Sequence, residues 1–293
     1  MTVQWTLSGF GDEIDADPGV QLAVLASLGS RHLELRSAWR INVIDLDDDR
    51  AGELRALIDR RGMSVSAIAS PVGKAPVAVP VDEEVGRLRR AIAAAHRFDA
   101  PYIRLFSFWP ERFSGEGGGP LLTGSLSDEV AAGMRDRVLE RMRAFADLAE
   151  RERITLVHEN EKDIYGDTPE RVLDIIEAVG SDRLRVAWDN SNYVQVGVEP
   201  YTRAYPLLRE HLEYLQVKDA RSTDGVVVPA GEGDGQLRET VAALCDDGYA
   251  GFASLEPHLA SFGVDTGIEG PFEFGRAARA FRGLADEAGV TLS

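Results

Sequence analysis

The chain has 293 residues, 44% of them hydrophobic, a formal net charge of −17 and one cysteine, Cys245. That composition allows a large core but excludes nucleic acid and anionic membrane surfaces, both of which are bound through clustered Lys and Arg. A lone cysteine rules out an internal disulfide and fits a reducing cytosol. No apolar run approaches the ~20 residues of a membrane helix. The first strand-like run starts within a few residues of Met1, leaving no room for a signal peptide, so a cytoplasmic protein is expected.

Strand-like and helix-like stretches then alternate eight times. Strands are predicted near 3–8, 32–36, 64–70, 101–107, 153–159, 184–189, 213–218 and 251–256. Helices are predicted near 17–29, 48–61, 81–99, 128–152, 168–179, 201–211, 236–247 and 271–288. Asp17-Pro18, Thr168-Pro169-Glu170 and Glu199-Pro200 are helix start signals. Strand–helix repetition without runs of hairpins implies parallel strands joined by crossovers. Eight units in one composition regime predict an α/β fold, a single (β/α)8 TIM barrel over 1–293, an architecture of roughly 250 residues. An open doubly wound sheet is the alternative. Two connections exceed what a barrel needs: 108–127, with Gly115 to Pro120, and 220–235, with Gly231 to Gly235. Both follow strands, which places them at the mouth as lids or substrate walls; a surface insertion is the other reading of the first.

Four oxygen-bearing side chains close apolar runs: Glu159 ends Ile154–Glu159, Asp189 ends Arg185–Asp189, Gln216 ends Tyr214–Gln216, and Glu256 ends Gly251–Glu256. In a parallel barrel those ends converge on one mouth. Three carboxylates meeting there repel and desolvate one another unless a cation lies between them. Alternation turns Glu159, Gln216, Lys218 and Glu256 inward and His158 outward. Hard oxygen ligands favour one Mn2+ or Mg2+ ion over Zn2+. A network neutralised by Arg and Lys is the alternative.

With its neighbours, this constellation resembles a family. Leu156 to Lys162, Tyr165 to Glu170, Asp189 to Asn192, Gln195 to Gly197, Tyr214 to Asp219, Pro229 to Gly235 and Ser254 to His258 are similar, in order and spacing, to the xylose isomerase-like TIM barrels. The resemblance is strongest from about 150 to 260. It implies that Glu159, Asp189 and Glu256 hold one divalent cation, and that Glu159 and Glu256 double as acid and base. The family usually has His where this chain has Gln216, whose amide oxygen is a weaker fourth ligand. The implied reaction is a sugar isomerisation or epimerisation by proton abstraction next to a carbonyl, through an enediolate. A β-hydroxyl would instead be expelled, giving a dehydratase or lyase on a keto-sugar, inosose or glycoside. A non-catalytic sugar-binding barrel is a further alternative. The DNA-repair endonucleases of the superfamily use a His-rich zinc cluster, and here only His158 and His258 lie near strand ends.

Around the four ligands, Lys218 reads as an auxiliary acid or hydrogen-bond donor, with a salt bridge to Asp219 or a neighbouring carboxylate as its alternative. Glu34, Arg36, Arg104, Trp109, Lys162, Asn192 and His258 are candidate substrate contacts. Phe106 and Phe108 join Trp109 as a possible apolar wall, or serve as core. A buried Glu–Arg network is the alternative for Glu34, Arg36 and Arg104. His32, His96 and His211 look structural. The glycine loop 231–235 precedes a helix, where barrels often bind phosphate, but Glu232 and Asp234 would repel it. The expected partner is therefore an unphosphorylated small-molecule carbohydrate. Helix faces leave room for a homo-oligomer, and no residue selects one.

Overall fold

Runs of β-branched and apolar residues, each followed by a helix, form eight parallel strands in the computed structural model, which describes residues 3–111, 124–259 and 270–293. The strands are β1 (Val3–Gly9), β2 (His32–Leu35), β3 (Ser64–Ala69), β4 (Tyr102–Leu105), β5 (Thr155–Glu159), β6 (Leu184–Asp189), β7 (Leu212–Val217) and β8 (Phe252–Leu255). Each of β2 to β7 pairs in parallel with the next, and β8 pairs with β1. The ring closes through a parallel bridge between Phe10 and Glu34. The architecture is the predicted α/β barrel.

A ninth strand, β9 (Val290–Leu292), was not legible beforehand. It pairs with Val3–Trp5 on the edge of β1 opposite β8, beside the single bridge to β2. Helices α1 (Pro18–Ser27), α2 (Asp48–Arg60), α3 (Val81–Phe98), α4 (Asp128–Glu152) and α5 (Pro169–Val179) fall where predicted. The predicted helix 201–211 is instead broken up. The chain turns directly from β6 into α6 (Asn190–Gln195), then through a π-helical turn at Pro200–Ala204 into α7 (Tyr205–Leu208). Pro200 and Pro206 account for the interruption, since neither can supply the amide that a continuous helix needs. α8 (Leu237–Asp246) and α9 (Gly270–Glu287) complete the layer. None of the described helices is long and apolar enough to cross a membrane.

The main apolar cluster lies between strands and helices, around Trp5, Trp188, Phe145 and Phe281. Inside the ring, Ala67, Val157, Ala187 and Tyr214 pack together, with Tyr102 and Phe252 against them. Ser66 bonds Ser8 at 2.7 Å and the Tyr214 hydroxyl at 2.9 Å, so the interior turns polar as it rises towards the mouth. Of the predicted long loop 108–127, residues 112–123 lie outside the described residues. In the other long connection, Asp219–Ala220 pairs with Val227–Val228 as a short hairpin.

Gly73, in the connection after β3, takes a φ of +80°, and a Cβ there would lie 2.0 Å from the Phe106 carbonyl oxygen. Its carbonyl accepts from Phe108 N, and its amide donates to Glu84. Gly73→Ala should lower stability by on the order of 3 kcal/mol in urea melts. Gly86→Ala, whose Cβ would meet nothing within α3, should instead raise it by about 0.5–1 kcal/mol.

Candidate functional site

The strand ends open on a cavity of about 220 Å3, whose charged lining is Arg36, Lys74, Arg104, Glu159, Glu161, Lys218, Glu256 and His258. Glu159 and Asp189 are the last residues of β5 and β6, and Glu256 follows β8. All three are buried, and an oxygen from each lies within 4.8 Å of the other two. Asp189 also accepts from Asn192 N at 2.9 Å, capping α6, so its orientation is tied to the helix that follows it.

Each carboxylate has a cationic neighbour. Arg104 donates to Glu159 Oε2 at 2.6 Å, while Asn192 Nδ2 holds Oε1 at 3.1 Å. Lys218 Nζ lies 2.8 Å from Asp189 Oδ2 and 3.1 Å from Glu256 Oε2. Arg36 reaches Glu256, Glu13 and Asp12 at 3.1, 3.3 and 2.8 Å. Burial pushes the Asp189 carboxyl up to about 7, aided by Glu159 and Glu256 and opposed by Lys218. Burial also works to raise Glu256, but Lys218, His258 and Arg36 hold it well below the usual carboxylate range. Burial disfavours the Lys218 ammonium, yet Asp189, Glu256 and Glu159 keep its pKa well above the ordinary value.

Gln216 stands level with Asp189 and Ser254 in the strand register. Its Nε2 donates to Glu34 Oε1 at 3.2 Å, while its Oε1 is buried without a hydrogen-bond partner. The three gathered carboxylates are a donor set suited to a hard divalent cation, and Gln216, on the strand between those of Asp189 and Glu256, carries an oxygen with no partner of its own. Arg36, Lys74, Arg104, Lys218 and His258 contact six carboxylates there, Asp12, Glu13, Glu159, Glu161, Asp189 and Glu256.

The structure thus brings together Glu159, Asp189, Gln216, Lys218 and Glu256, with Arg36, Arg104 and His258 on the cavity wall. Glu34 lies behind that wall against Gln216, and Asn192 reaches back to Glu159 and the Asn160 carbonyl. Trp109 and Lys162 do not line the cavity. Phe108 stacks on Phe145 of α4 in the core, whereas Phe106 lines the cavity under Lys74 at 4.2 Å and Arg104 at 4.5 Å. His158 points outward as alternation requires; burial drives it down to about 3, so it is neutral.

Sequence reasoning missed Asp12, Glu13, Lys74 and Glu161. Glu13 is fully buried, faces His258 Nδ1 at 3.3 Å and accepts from His258 N at 3.1 Å. Asp12 and Glu13 follow β1 directly and Glu161 lies two residues beyond Glu159, so the strand-end rule could have found them. Lys218 pairs with two neighbouring carboxylates, Asp189 and Glu256, and not with Asp219. The Asp219 carboxylate instead accepts the amides of Gly231, Gly233 and Gly235 at 2.9, 3.1 and 2.9 Å. An internal anion therefore occupies the glycine loop. Glu232 and Asp234, expected to repel phosphate there, turn to Arg276 and Ser222.

The family model for xylose isomerase-like TIM barrels matches residues 22–284. A curated relative, 2-epi-5-epi-valiolone 7-phosphate 2-epimerase from an Actinoplanes species, is 26% identical over 236 residues, 75% of this chain and 78% of that protein. Among solved structures, a D-tagatose 3-epimerase-like protein superposes with a TM-score of 0.73 at 16% identity, covering 97% of this chain and 98% of that one. A xylose isomerase-like TIM barrel protein from Mycobacterium smegmatis, in complex with magnesium, gives 0.70 at 20% identity, covering 98% of each chain.

Burial pushes the Glu34 carboxyl from 4.5 up to about 7, against the pull of Arg104. Between those values the unfolded chain has released a proton that the folded chain keeps, so Glu34's contribution to stability falls as pH rises through this window. Glu34→Gln, which keeps an acceptor for Gln216, should flatten that decline in melting temperatures measured from pH 4.5 to 7.5. A curve as steep as that of the wild type would contradict the assignment.

Proposed function

Because the chain belongs to the xylose isomerase-like TIM barrel family, we propose that it is an isomerase or epimerase acting on an uncharged sugar, keto-sugar or polyol, with one divalent cation held by Glu159, Asp189, Gln216 and Glu256. The observation that carries this reading is the gathering of three buried carboxylates at a polar cavity, with an unpartnered amide oxygen on the strand between β6 and β8. The all-oxygen donor set favours Mn2+ or Mg2+ over Zn2+. We take residues 1–293 as a single barrel domain, with the connections 108–127 and 220–235 as walls of its mouth.

When bound, the ion would draw electron density from a carbonyl and a neighbouring hydroxyl and acidify the C–H between them. The remaining work falls to side chains. Glu256, kept ionised by its cationic neighbours, takes a proton from one face of the substrate carbon. Glu159, which lines the same cavity, supplies one to the opposite face, or the roles reverse. Arg104 and Asn192 fix Glu159 so that it keeps this geometry. Arg36, Lys74 and His258 line the mouth, where they can donate to substrate hydroxyls, and Phe106 offers an apolar face.

One feature supports an uncharged substrate: Asp219 takes the amides that would otherwise cradle a phosphate. In this respect the reading departs from the relative named for a 7-phosphate.

The test incubates the protein with Mn2+ and a panel of ketohexoses and keto-polyols in heavy water. Solvent deuterium should appear at the carbon next to the carbonyl, and Glu159→Gln and Glu256→Gln should each slow its entry by about 100-fold or more. Inversion or carbonyl migration in the product supports the isomerase, whereas loss of water would move the assignment to a dehydratase. Sugar binding without any exchange would mark a binding protein and end the proposal.

A further inference from the structure

Lysine is scarce in this chain. Of 32 basic residues only three are lysine, Lys74, Lys162 and Lys218, and all three lie in connections that follow the C-terminal ends of barrel strands. Elsewhere the chain uses arginine, whose planar fork makes bidentate contacts, whereas lysine presents a compact, mobile point charge. Lys218 is the most enclosed of them where it matters, with 6% of its side chain exposed inside the cage.

Its Nζ is 2.8 Å from Asp189 Oδ2 and 3.1 Å from Glu256 Oε2. Those carboxylates are two of the three whose oxygens gather within 4.8 Å. A divalent ion ligated by the same triad needs oxygens at roughly 2.0–2.6 Å and therefore draws on the same two groups. A second cation on shared oxygens in a buried site is repelled more strongly than it would be in water. Gln216 brings an oxygen but no negative charge to offset the lysine. The charge of the third carboxylate is already offset in part, because Glu159 pairs with Arg104 and is also held by Asn192.

We propose that Lys218 is a tethered counter-ion that keeps Asp189 and Glu256 gathered and competes with the divalent ion for them, so that it sets how tightly the cage takes a metal. For the ion to enter, the ammonium must leave both oxygens. Glu161, a carboxylate on the wall of the same cavity, offers it another partner. This inference rests on the cation cage of the proposed function but concerns ion binding alone. A failed turnover assay leaves it standing, and its own failure leaves proton transfer by Glu159 and Glu256 untouched.

Calorimetric titration of MnCl2 into the chelator-treated full chain tests it. Lys218→Met, which keeps a long stem without charge, should bind Mn2+ about tenfold or more tightly than the wild type. Lys218→Arg, which keeps the charge, should show no such gain. Equal affinity in the wild type and the Met variant, or the same gain in both variants, would overturn the proposal. A readout on the unmodified protein guards against a Met variant that does not fold. With 15N-labelled lysine the chain gives three Nζ environments. Titration with diamagnetic Mg2+ should shift the Lys218 signal, identified by its absence in Lys218→Arg. An unmoved signal at saturating Mg2+ would sink the idea.

Discussion

Crowding of carboxylates at one end of a closed ring governs the rest of this molecule. Parallel strands in a barrel carry their last residues to the same rim, so acidic side chains on β5, on β6 and after β8 must meet. Burial of several like charges is costly unless each finds a partner of opposite sign or accepts a proton. The structure uses both remedies. Arg104, Lys218 and Arg36 reach the three central carboxylates, and Glu34 behind them is pushed towards its neutral form. Small interior residues below, from Ser8 and Ser66 to Ala187, leave the long charged side chains room to fold inward.

The same constraint explains why the rim is braced by asparagines. Asn160 and Asp189 exchange a pair of bonds between the ends of β5 and β6, at 2.9 and 3.0 Å. Asn192 then reaches back to Glu159 and to the Asn160 carbonyl. Amides add donors and acceptors without adding charge, which suits a place already crowded with anions. Because Asp189 also caps α6, any displacement of its carboxylate would be felt by the first turn of that helix. A site held in this way resists rearrangement except at long, unbranched side chains, of which Lys218 and Lys74 are the examples on the cavity wall.

The barrel and its central carboxylates were legible because both follow from position along a strand. Period-2 alternation placed Glu159 and Glu256 inside and His158 outside, and termination of each apolar run placed them at the rim. What escaped depends on connections, whose paths no periodicity encodes. Lys74 arrives on a turn that needs glycine at Gly73, and Asp219 satisfies three glycine amides from a loop a dozen residues away. Trp109 and Lys162 shared the promising neighbourhood in sequence, but the chain carries them off the cavity wall. β9 was invisible for another reason: three residues at the end of the chain carry too little pattern to signal a strand, and the open edge of β1 beside β2 is what makes them one.

Glu159 and Glu256, the two carboxylates of the cluster that line the cavity, are not equivalent, and that inequality bears on any reaction shared between them. Glu256 is approached by Lys218, Arg36 and His258, while Glu159 has Arg104 as its only ion-pair partner among the described residues. The excess of positive charge falls on Glu256 while Lys218 remains between Asp189 and Glu256. Movement of that single ammonium towards Glu161 would remove the strongest cationic influence on Glu256. The lysine that neutralises the resting cage is then also the group whose position decides how firmly Glu256 is held in its ionised form.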